Sequence, residues 1–86
     1  MQRGWVVSPD YRAAIHAIKD ARMNLEISQR ELARRLGKSP SFVNKIEQLE
    51  RRLDIVEFIA IAKALEIAPD KLIALVAASL NDPVSI

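Results

Sequence analysis

The sequence predicts an all-α fold of five short helices. Ala and Leu are plentiful, aromatic residues make up only 5% of the chain, and β-branched runs are short. Helix-starting signals recur along the chain at Ser8-Pro9, Ser28, Ser39-Pro40, Asp54 and Pro69. Glycine, the common helix stop, occurs only twice, at Gly4 and Gly37.

The elements follow in order. Ser8 offers an N-cap hydroxyl and Pro9 sits at the first helical position, where its missing N–H costs nothing. Helix one then runs from about Pro9 to Met23, with Tyr11, Ile15, Ile18 and Arg22 on one face. Ser28-Gln-Arg-Glu31 is a capping box, with Ile27 and Leu32 as its hydrophobic staple. Helix two ends with Leu36, before Gly37. Ser39-Pro40 repeats the first signal and opens helix three. Asp54-Ile-Val-Glu57 is a second capping box, with Leu53 and Phe58 as staple, and helix four reaches about Leu65. Pro69 opens helix five, which runs to about Ala78 and stops before Asn81-Asp-Pro83. The expected division is an arm over 1–8, a helical domain over 9–78 and a tail over 79–86. Trp5, Val6 and Val7 of the arm could pack on the body or on a second subunit.

At 86 residues the chain is one small domain, with little room for an enzyme cleft. The absence of cysteine excludes disulfides, thiolate zinc sites and thiol catalysis. One histidine excludes a His-rich metal site, and no Gly-rich phosphate loop, zincin motif or Ser/His/Asp set is present. The carboxylates have structural readings: Glu31 and Glu57 as capping partners, Asp54 as N-cap. The chain is therefore expected not to be an enzyme and to need no cofactor or metal. No apolar run approaches the roughly 18 residues that a membrane span needs, and MQRGWVVSPDYR lacks a secretory core, so a cytoplasmic location without membrane partners is expected.

Net charge is +2, and its distribution is uneven. Between Ser28 and Arg52 stand seven basic residues (Arg30, Arg34, Arg35, Lys38, Lys45, Arg51, Arg52) and three acidic ones (Glu31, Glu47, Glu50), a window of +4 that leaves −2 elsewhere. A basic centre suits a polyanion partner. On charge alone, a solvated helical surface is the favoured reading over a polyanion site.

Spacing adds more. Helices two and three are short and joined by about three residues. Ala33 is small enough to let helix three cross closely, and Gly37 can take a positive φ at the turn. Val43 and Ile46 face inward opposite Leu32 and Leu36. This is the layout of a helix-turn-helix, whose second helix enters the DNA major groove. Outward lie Ser39, Pro40, Ser41, Asn44, Lys45 and Gln48, none a large hydrophobe. Lys45 can donate to guanine O6 or N7, Asn44 can pair with adenine, and Pro40 can meet a thymine methyl. Ser39 is expected to cap first and touch DNA second.

Leu25 through Gly37, with Ser39 through Glu47, resembles the Cro/C1-type (XRE-family) helix-turn-helix of phage repressors and bacterial regulators. The resemblance continues through Arg51-Arg-Leu-Asp54 and Ile61-Ala-Lys-Ala-Leu65 and covers roughly residues 12–76. It implies a lambda-repressor-like five-helix fold. It also implies that Gln29 meets a DNA phosphate and that Arg22 pairs with Glu47 to tie helix one to the end of helix three. Lys38, Arg51 and Arg52 would flank the groove and grip phosphates. Two positions depart from the family: Leu49 and Glu66 stand where glycines commonly follow helices three and four. Either they carry a left-handed strain on the order of 1 kcal/mol, or those helices end differently.

Phe42 is read as a packing residue at the rim of helices two to four, with DNA contact as the alternative. His16 is read as a surface residue, and Trp5 and Tyr11 are not assigned to DNA. Leu72, Ile73, Leu75, Val76 and Leu80 exceed what one helix on a small core can bury, which marks a candidate homodimer surface. The resulting expectation is a sequence-specific binder of double-stranded DNA, pairing on an inverted repeat and repressing by occlusion, since no second domain is present to recruit or sense. The alternative is a helical protein-interaction module, or the antitoxin half of a toxin–antitoxin pair, with a protein partner the sequence does not identify.

Overall fold

Each expected helix forms, and most begin where a side chain meets an N–H that the helix itself cannot satisfy. The computed structural model describes residues 7–86 and contains α1 (Pro9–Asn24), α2 (Gln29–Leu36), α3 (Pro40–Glu47), α4 (Ile55–Ala64) and α5 (Pro69–Ala78). Trp5 and Val6 lie outside the described residues, while Val7 packs against the core. Ser8 Oγ accepts from the Tyr11 N–H at 3.0 Å, and Ser28 Oγ from the Glu31 N–H at 3.0 Å. At α4 the box is complete: Asp54 Oδ1 accepts from the Glu57 N–H at 2.7 Å, and Glu57 Oε1 accepts from the Asp54 N–H at 3.0 Å.

Two capping expectations fail. Glu31 does not return a bond to the Ser28 N–H, because its carboxylate is taken by Arg34 and Arg35 one turn on. Ser39 occupies the N-cap position of α3 without a capping bond; its hydroxyl lies 2.9 Å from that of Ser41.

Four helices end in the same way. The residue after the last turn turns left-handed, and two N–H groups reach back to carbonyls that the helix leaves open. At Gly37 (φ 69°) these are the Gly37 N–H to Arg34 and the Lys38 N–H to Ala33. The same pair of bonds closes α1 at Glu26 (φ 58°), α3 at Leu49 (φ 64°) and α4 at Glu66 (φ 59°). Leu49 and Glu66 thus carry the strain that the sequence left as one alternative, and Glu26 adds a third such position. Nothing would crowd a side chain at Gly37, so only its φ calls for glycine.

The core gathers Ile15, Ile18, Leu32, Ala33, Val43, Ile46, Leu49, Phe58, Ile61, Ala62, Leu65, Leu72 and Val76. α2 and α3 pack on one another, α1 lies against α3 and α5, and α4 against α2 and α5. Ala33 and Ala62 are fully buried where helices cross closely.

This arrangement corrects the expected dimer surface. Leu72 (0% exposed) and Val76 (6%) are one turn apart on the side of α5 wedged between α1 and α4, so the monomer already buries them. Leu80 is half-buried, and Ile73 and Leu75 remain exposed.

The tail folds back onto α1. The buried carboxylate of Asp10 accepts from the Asn81 N–H (2.8 Å), the Ser85 N–H (2.8 Å) and the Ser85 hydroxyl (2.9 Å). These bonds, led by that from the Ser85 backbone, hold its pKa below the ordinary 3.8, against the opposing effect of burial.

Two outcomes follow from these features. Glu66→Gly should relieve the exposed left-handed residue and, after the entropy that glycine costs, raise the thermal midpoint by roughly 2–4 °C. An unchanged or lower midpoint would contradict the strain at that position. The stabilisation from Asp10 is complete above the ordinary carboxyl value and is lost as pH falls through the lowered folded value. Asp10→Asn should therefore lower the midpoint at neutral pH and flatten its decline below about pH 4, read by circular dichroism across pH.

Candidate nucleic-acid interface

The Ala33 crossing and the Gly37 turn leave α3 with one buried stripe, Val43 and Ile46, and one outward stripe. Ser41, Asn44, Lys45 and Gln48 fall at helical spacings of three and four on the outward stripe, and all are exposed, as are Ser39 and Pro40 before them. The six residues expected to meet base edges therefore share one solvent-facing strip. It contains hydroxyl, amide and ammonium groups and no large hydrophobe.

The far end of this helix is held by a buried ion pair. Arg22 of α1 donates from Nε to Glu47 Oε2 at 2.8 Å and from Nη2 to Glu47 Oε1 at 2.9 Å, while Nη1 donates to the Ile27 carbonyl at 2.7 Å. The side chains are 9% and 6% exposed. Gln29, at the start of α2, adds a bond from Nε2 to Glu47 Oε1 at 2.8 Å. The expected Arg22–Glu47 pair is therefore present, and Gln29 belongs to the same cluster. One of its two amide N–H bonds is used inward.

The remaining cations divide into two groups. Arg34 and Arg35 grip Glu31, whose carboxyl they lower to about 2 chiefly by hydrogen bonding, and Arg35 also donates to the Ala64 carbonyl. Arg51 is drawn in as well. Its guanidinium donates to both carboxylate oxygens of Glu57, at 2.9 and 2.6 Å, and to the Arg52 carbonyl at 2.8 Å. The phosphate-facing position expected of Arg51 is thus already engaged within the chain. Those hydrogen bonds lower the Glu57 pKa and raise that of Arg51. Arg30, Lys38, Lys45 and Arg52 stay exposed.

Phe42 is half-buried against the core, as the packing reading expected, and its ring also faces two cations: Arg51 Cζ at 4.7 Å and Lys38 Nζ at 5.5 Å from its centroid. Arg52 lies over the Tyr11 ring at 5.1 Å. The Tyr11 hydroxyl in turn accepts from the Leu53 N–H at 3.0 Å. His16 stands on the surface near Asp20, at 3.5 Å.

Sequence reasoning missed Tyr11 and Glu57 as anchors of the loop between α3 and α4. Glu57 was visible only as a capping residue, and its second role needs the loop to curl back. Tyr11 is 42 positions from its partner, with no local signal linking them.

The helix-turn-helix family profile matches residues 18–72, which takes in α2, α3, α4 and the outward strip. The chain belongs to the helix-turn-helix family of Cro/C1 (XRE) type. An XRE-family-like protein from Pseudomonas syringae pv. tomato str. DC3000 is similar at 39% identity, with a TM-score of 0.74 over 80% of this chain and 84% of that one. The restriction-modification controller protein C.AhdI from Aeromonas hydrophila is 28% identical, with a TM-score of 0.67 over 76% and 98% of the two chains. The controller protein C.Esp1396I shares the fold at 22% identity and a TM-score of 0.78, over 85% and 95%. No curated protein matches the sequence significantly. The chain is thus a DNA-binding regulator of this family. Among the described residues, no helix is long and apolar enough to cross a membrane.

Removing one partner of the buried pair leaves the other charge uncompensated. Glu47→Ala should cost about 3 kcal/mol in urea unfolding. A loss below about 1 kcal/mol would mean that the pair is solvated and does not hold α3.

Proposed function

We propose that this regulator binds a specific double-stranded DNA site as a homodimer, with α3 in the major groove, and represses transcription by occupying its operator. The observation that carries this reading is the exposed strip of Ser41, Asn44, Lys45 and Gln48, set on a helix whose inner face is locked into the core. Lys45 reads guanine, Asn44 adenine, Ser39 and Ser41 adapt to either, Pro40 meets a thymine methyl, and Gln48 reads the last base within reach. Lys38 and Arg52 grip phosphates. Gln29 offers its second N–H to a phosphate at the start of α2, where the helix end already favours an anion. Two of the similar structures are restriction-modification controllers, which agrees with a small regulator acting through DNA.

A single copy presents one reading helix, and a second copy reads a second half-site about one helical turn, roughly 34 Å, away. The dimer surface best supported is a shallow apolar groove of about 320 Å³ between α1, α4 and α5. Ile55 and Ile73 line it and stand 73% and 47% exposed, with Ile59 one turn beyond Ile55. Joining these faces in two copies removes apolar surface that a monomer leaves in water.

Selection of duplexes from a randomised pool, followed by gel shifts at low and moderate salt, tests the reading. Enriched duplexes should contain an inverted repeat. Lys45→Ala should flatten the preference between selected and unrelated duplexes. Arg52→Ala should weaken both alike and reduce the slope of log K against log salt by about 0.9. A pool without enrichment would contradict sequence-specific binding, and an unchanged preference in Lys45→Ala would contradict the base-reading strip.

A further inference from the structure

Beyond the base and phosphate contacts, we infer that Arg51 is a positioning residue that clamps the flank of the reading helix to the start of α4, with Phe42 and Glu57 as the two jaws. This rests on the reading of α3 as the groove-entering helix. The guanidinium makes a two-pronged contact with Glu57, bonds the Arg52 carbonyl in its own loop, and lies 4.7 Å from the centroid of the Phe42 ring on α3. Glu57 is itself fixed, because the same Oε1 that accepts from Arg51 closes the capping box with Asp54. Lys38, in the turn before α3, approaches the same ring at 5.5 Å.

One layer of contacts therefore joins the turn, the reading helix, the following loop and the first turn of α4. Glu47 holds the last turn of α3 to α1, and the Arg51 layer holds Phe42 in its first turn. Between them, the angle at which Ser41 and Lys45 leave the protein is set. The planar fork is essential to this role. A lysine would keep the charge but could not contact both Glu57 oxygens while lying over the ring.

The clamp and a phosphate contact predict different behaviour in Arg51→Lys and Glu57→Gln, with Phe42→Leu and Arg51→Gln as companion variants. The probe is the duplex that wild type enriches from a randomised pool, titrated at several salt concentrations well below each variant's unfolding temperature. The clamp predicts that Arg51→Lys weakens binding about tenfold while the salt slope stays at the wild-type value. Glu57→Gln removes a negative charge beside the interface, which by charge alone would tighten binding; the clamp predicts weakening instead. Phe42→Leu keeps an apolar side chain at the rim and should weaken binding similarly. Arg51→Gln combined with Glu57→Gln should be little worse than either alone, because both remove the same contact. Wild-type affinity in Arg51→Lys, with a slope reduced by about 0.9 in Arg51→Gln, would make Arg51 a phosphate contact and overturn the inference. Tighter binding by Glu57→Gln would overturn it equally. Failure of wild type to enrich any duplex would instead overturn the groove-reading assignment beneath it.

Discussion

The ion pair between Arg22 and Glu47 is the constraint on which the arrangement of this molecule turns. α3 is only eight residues long and would be marginal alone in water. Its direction is imposed from outside, by a carboxylate at its last turn whose two oxygens both accept from Arg22, with Gln29 joining at one of them. The desolvation cost of burying both charges consumes much of their attraction, so the pair contributes chiefly to geometry. Each remaining oxygen and N–H is directional, and together they fix the end of one helix against the body of another. The guanidinium also reaches the Ile27 carbonyl, which ties down the chain just before α2. The loop between α1 and α2, the start of α2 and the end of α3 thus share one anchor.

Charge works differently on the rest of the surface. The basic window from Ser28 to Arg52 is not uniformly available to a polyanion. Glu31 engages Arg34 and Arg35 on the surface of α2, and Glu57 engages Arg51 in the loop before α4. Arg34 and Arg35 stay exposed but are tied to Glu31, and a thinner set of exposed cations, Arg30, Lys38, Lys45 and Arg52, is placed around a strip of small polar side chains. A strip of this kind favours discrimination over raw attraction, since phosphate contacts position a protein and base contacts choose its site.

Most of the fold was legible because its signals are local. Proline and capping residues mark where helices start, and the spacing of Leu32, Ala33, Val43 and Ile46 marks which faces meet. The Arg22–Glu47 pair was legible only through resemblance to the family, as no local pattern joins residues 25 positions apart. Two side chains show competition for a single group. Glu31 could cap the Ser28 N–H or bind two arginines, and the charged donors prevail over the neutral amide. Arg51 could face phosphate or Glu57, and Glu57 lies within reach in the unbound chain. For α5 the expected surface mixed two faces: Leu72 and Val76 are buried within the monomer, while Ile73 and Leu75 stay exposed. Its sequence does not reveal that α1 and α4 close over Leu72 and Val76, leaving Ile73 to pair with Ile55 across a groove. The strain at Leu49 and Glu66 was visible as missing glycines, whereas Glu26 gave no comparable warning.

On the proposed reading, the outward strip of α3 enters duplex DNA while the Arg22–Glu47 anchor keeps its geometry. The most direct measurement is amide and side-chain NMR of isotope-labelled protein titrated with the duplex it selects. The largest shifts are expected at Ser41, Asn44, Lys45 and Gln48, with the Arg22 Nε–H resonance retained through the titration. Shifts confined to Ile55, Ile59 and Ile73, with the α3 strip silent, would contradict it.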